Sequence, residues 1–113
     1  MTDDRLADAL ADLGERTRPI LAMFDEARNE AGRDRATAAL IEAASGLAEA
    51  ARRVARHAAD YRAVRLDAEA LADHLDAMAR PDWTDRGRIA AVLSYARLMQ
   101  AGAEDLRKQL DSR

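Results

Sequence analysis

Residues 40–61, LIEAASGLAEAARRVARHAADY, place apolar side chains at Leu40, Ala44, Leu47, Ala51, Val54, Ala58 and Tyr61, in alternating steps of four and three. That alternation keeps one face of a helix apolar over its whole length. Continuing it lands on Arg65, and a new row, Val64, Ala68, Leu71, Leu75 and Met78, begins on a face turned by roughly 100°. A single straight helix would press Arg65 into an apolar seam, where an unpaired guanidinium is very costly. The chain is therefore expected to leave helical geometry between Arg62 and Leu66 and to start a new helix.

Upstream, Leu6, Leu10, Leu13, Thr17, Ile20, Phe24, Ala27 and Ala31 keep the same alternation through Pro19. Proline removes one helical hydrogen bond, so the reading is one helix from about Asp3 to Ala31, kinked at Pro19. The alternative is two helices, with Gly14 closing the first and Thr17 capping the second. Gly32 reads as the stop and Asp34 as the N-cap of the next helix, about Arg35 to Tyr61. A second row, Ile41, Ala48, Ala55 and Ala59, widens that helix's apolar face, as expected of an element touching two neighbours. Gly46 inside it costs about 1 kcal/mol relative to alanine, and close backbone approach is the expected compensation.

Downstream, a short helix from Asp67 to Ala79 is expected, with Asp67 as N-cap and Leu66 stapled to Leu71. Arg80-Pro81 ends it. Asp82 and Asp85 open the last helix at its positive end, and Ile89, Val92, Ala96, Met99, Ala103, Leu106 and Leu110 carry it nearly to residue 113. Trp83 is expected to cap one end of the assembly. The fold class is all-α: one domain over residues 1–113, a small bundle of three long helices and one short one. The second and fourth helices are expected to supply most of its core.

Alanine accounts for 28 of the 113 residues, and only 4% are aromatic. Such helices approach closely but bury little area each, so stability must come from length or from partner subunits. Arginine outnumbers lysine 17 to 1, a bias that a GC-rich bacterial genome produces without selection for phosphate binding. A net charge of −3 argues against a general polyanion binder. No cysteine is present, which excludes disulfides and thiolate chemistry. No stretch reads as a signal peptide or membrane span, so a cytoplasmic protein is expected.

Catalytic and metal motifs are not found. Neither His57 nor His74 follows a glutamate by three residues, as in di-metal bundles, and the serines lie in no nucleophile motif. No cofactor, metal or catalytic residue is expected. Asp73 and Asp76 read as part of a solvated acidic face. Arg52, Arg53, Arg56 and His57 share one polar arc with Asp60. That arc is either a solvated face with an Arg56–Asp60 pair or a docking patch for an anion or acidic partner.

The surroundings of His57 resemble histidine phosphotransfer domains, small helical bundles carrying one phosphorylated histidine in mid-helix. Leu66 and Leu71 match that family's downstream apolar spacing. Ala59, Asp60 and Tyr61 stand where leucine, lysine and glycine commonly follow. The resemblance spans residues 57–71 and implies at most a degenerate phosphorelay protein acting through His57.

The leading expectation is a non-enzymatic helical module, an adaptor or assembly subunit that binds protein through apolar helix faces. A nucleic-acid or phosphate-binding module using Arg52, Arg53 and Arg56 is the alternative. A further row on the last helix, Ala91, Tyr95, Leu98 and Gly102, faces away from its main stripe. It is the expected self-association face of a homodimer, unless it packs on the short helix of the same chain.

Overall fold

The computed structural model describes residues 2–80 and 87–111. The chain forms four helices: α1 (Thr2–Glu26), α2 (Glu30–His57), α3 (Arg62–Met78) and α4 (Gly87–Asp111). No strand occurs among the described residues. Trp83, Asp82 and Asp85 lie outside them, as does the side chain of Leu110.

Asn29 sets the first boundary. Its backbone is extended (φ −147°, ψ 174°), and its side-chain oxygen accepts from the Gly32 N–H at 2.8 Å. Glu30 follows in the first turn, where a carboxylate suits the helix dipole. This corrects the expected stop at Gly32 and cap at Asp34: both residues lie inside α2. A competent cap five residues earlier starts the helix sooner and satisfies an amide that would otherwise lack a partner.

The second boundary also falls earlier than the stripes suggest. α2 ends at His57, and residues 58–61 turn, closed by a hydrogen bond from the Tyr61 N–H to the Ala58 carbonyl at 3.0 Å. Residues 62–66, expected to be non-helical, form the first turns of α3. The change of face that keeps Arg65 out of the seam is thus made before Arg62, and Arg65 ends half-buried on a flank. Asp67 is interior to α3 and caps nothing; Tyr61 holds the cap position, and its side chain does not cap the helix. Leu66 is 45% exposed and staples nothing to Leu71.

The helices pack in a ring: α1 on α2, α2 on α3, α3 on α4 and α4 back on α1. Asp25, late in α1, pairs with Arg97 in the first half of α4, whereas Asp8 shares a cleft with Glu104. The first and last helices therefore run antiparallel. The molecule measures 46 × 26 × 18 Å, and no described helix is long and apolar enough to cross a membrane.

Core supply differs from the expectation for α2 and α4. Of the largest fully buried side chains, Leu6, Leu10 and Leu13 come from α1 and Leu71, Leu75 and Met78 from α3. α2 adds Leu40 and Val54, while α4 adds Val92. α2 instead buries a run of alanines, Ala44, Ala48, Ala50 and Ala51, that draws both neighbours close so that their leucines fill the interior. A void of about 10 Å³ remains between Ile20, Leu40, Leu75 and Val92, no larger than a single water and walled by apolar atoms.

Thr17 is the buried polar member of the α1 stripe. Its hydroxyl donates to the Leu13 carbonyl at 3.0 Å and accepts from Gln100 Nε2 of α4 at 3.3 Å. Gln100 Nε2 also donates to the Gly14 carbonyl.

Candidate functional site

The row on α4 is divided between the chain's own interior and its surface. Tyr95 is half-buried against the core, and its ring stacks on His74 of α3, with centroids 5.8 Å apart and an interplanar angle of 25°. To that extent the row packs on the short helix of its own chain. Leu98 points elsewhere: it is 51% exposed, the most exposed of the large apolar side chains described. Ala91 and Gly102 are half-buried, and a Cβ built at Gly102 meets nothing within 4 Å. What faces outward is one leucine between two small residues.

His74 is tied a second time to α4, since Arg88 Nη1 lies 3.0 Å from its Nδ1. Arg88 and Tyr95 are seven residues apart, two turns along one flank of α4. No motif in the sequence singles out His74. The available signal was that 88 and 95 share a face with the outer row.

The arginine cluster is divided. Arg52 donates to Glu49 on its own helix at 3.2 Å and forms an ion pair with Asp76 of α3. Asp76 is half-buried and holds that pair, so it is not merely part of a solvated acidic face. The expected Arg56–Asp60 pair is absent, because α2 ends at His57 and Asp60 sits in the turn, off the helix face. Arg56 and His57 occupy the last turn of α2, where cations suit the partly negative helix end. Arg53 is half-buried beside them.

That placement bears on phosphotransfer. His57 is the final residue of α2 rather than a mid-helix residue, and the carbonyl end beside it disfavours an incoming phosphoryl group. No group of three or more His, Asp or Glu side chains among the described residues is placed to hold a metal ion.

An open cleft of about 700 Å³ runs between α1 and α4. Asp4, Asp8, Glu15 and Glu104 stand on its rim with Arg18, over a floor that includes Ala7 and Gly14. No family model, curated protein or solved structure matches the chain.

Proposed function

We propose that the chain is a non-enzymatic helical interaction module, an adaptor or assembly subunit that binds protein through apolar helix faces, and that its first partner is a second copy of itself. Leu98 is the observation that supports this reading. It stands half-exposed in mid-α4, seven residues after Ala91 and four before Gly102. A two-fold contact requires one self-complementary patch. A projecting leucine beside a glycine with open space above it provides both knob and hole. Burying a leucine fully is worth roughly 1.5–3 kcal/mol, a useful increment for a core so rich in alanine.

The alternative, nucleic-acid or phosphate binding by Arg52, Arg53 and Arg56, draws less support, because Arg52 is already matched by two carboxylates. Light scattering at tens of micromolar tests the proposal on the wild type and on Leu98→Glu. A wild-type dimer that becomes a folded monomer on substitution is the expected result. A wild-type monomer at that concentration overturns it.

A further inference from the structure

A guanidinium has donors and no acceptor, so the contact from Arg88 Nη1 to His74 Nδ1 requires a lone pair on Nδ1 and leaves the ring proton on Nε2. The same imidazole is stacked on Tyr95. Two side chains from one flank of α4 therefore close on a single neutral ring from α3.

Among the described residues the charged surroundings are simple. α2 sends Arg52 to Asp76, which lies 200° around α3 from His74 at 100° per residue. Asp73, next to His74 on its own helix, is exposed. Among the described residues no charged group other than Arg88 forms an ion pair or hydrogen bond with the ring.

We propose that His74 is a proton-sensitive latch on the seam between α3 and α4. Imidazole is the side chain that ordinarily takes up a proton between pH 5 and 8. A proton on Nδ1 replaces the acceptor by a donor and sets a second cation against the guanidinium. The contact stabilises the fold while the ring is neutral and is lost as pH falls. Arg88 then leaves the ring, and the opening turns of α4 loosen from the end of α3. The latch goes beyond the self-association reading and stands without it, although Tyr95 belongs to both.

Thermal unfolding of the full chain at about pH 8 and about pH 5.5, for wild type, His74→Gln and Arg88→Met, tests the latch. Glutamine keeps an acceptor for Arg88 at both values, and Arg88→Met removes the opposing cation. The rest of the chain is the same in all three proteins, so its contribution cancels. Acidification is expected to lower the wild-type midpoint by about 4 °C more than that of either variant, the size of shift one lost interaction makes in a chain of this length. Amide protection factors over residues 88–95, taken relative to the intrinsic exchange rate at each pH, should fall on acidification in the wild type alone. Equal shifts in all three proteins overturn the latch. If His74→Gln does not fold, the comparison of wild type with Arg88→Met decides alone.

Discussion

Gly32 and Gly46 belong to one helix and carry opposite expectations. A Cβ added at Gly46 meets only the tip of the Arg16 side chain, at 4.0 Å. The close backbone approach expected there does not exist, and Gly46→Ala should raise stability by about 0.5–1 kcal/mol. At Gly32 the new atom would lie 3.3 Å from the capping oxygen of Asn29 and 3.4 Å from Ala27 Cα, so no gain is expected. Urea midpoints that rise for both variants, or for neither, would contradict this contrast. Val54, with no exposed surface, is the sterner position. Val54→Asp buries a charge without a partner and should cost about 3–5 kcal/mol. Leu106→Asp, at a site 8% exposed, should cost less. A Val54→Asp protein with the wild-type midpoint would place the stripe in solvent. Single residues of the stripes were legible because periodicity reports which face of a helix is apolar. The pairs Arg52–Asp76 and His74–Arg88 were not, because a helical wheel does not say which helix stands opposite.

At the level of elements, the two inter-helix boundaries depend on short local devices. Asn29→Ala removes the bond to the Gly32 amide and should cost about 1 kcal/mol, whereas Asn29→Asp should retain most of it. Denaturant midpoints for the pair check the cap. At the other boundary the Arg65 N–H donates to the Tyr61 carbonyl at 2.9 Å, so slow amide exchange should begin at Arg65, with Ala59 and Asp60 exchanging fast. Uniform protection from His57 onward would mean a continuous helix instead. The sequence showed that the apolar face changes phase near Tyr61. Phase alone does not say where the intervening residues leave the helix, and the turn at 58–61 is bound by backbone atoms that carry no side-chain signature. The first boundary could have been read correctly, because Asn29-Glu30 is itself a cap signal; the more familiar glycine stop at Gly32 competed with it.

For the whole molecule, each helix packs on two neighbours in the ring, so none has a core of its own. Unfolding should be a single transition, with far-ultraviolet helicity and tyrosine absorbance changing together in urea. Separated curves would reveal a helix pair that survives alone. The charges between helices contribute little to this cooperativity. Arg97 and Asp25 meet at 2.7 Å, yet both side chains are more than half exposed, and exchanging the two residues should shift the midpoint only slightly. The seam that closes the ring is of a different kind, since it joins the first helix to the last without a covalent link. Residues near the beginning of α1 and near the end of α4 line the same cleft. Order along the chain and order in space are therefore separable here. A gene rearranged to encode α3, α4, a short glycine-serine bridge, α1 and α2, and opened at the turn of residues 58–61, would ask the same four helices to find the same neighbours from a different starting point.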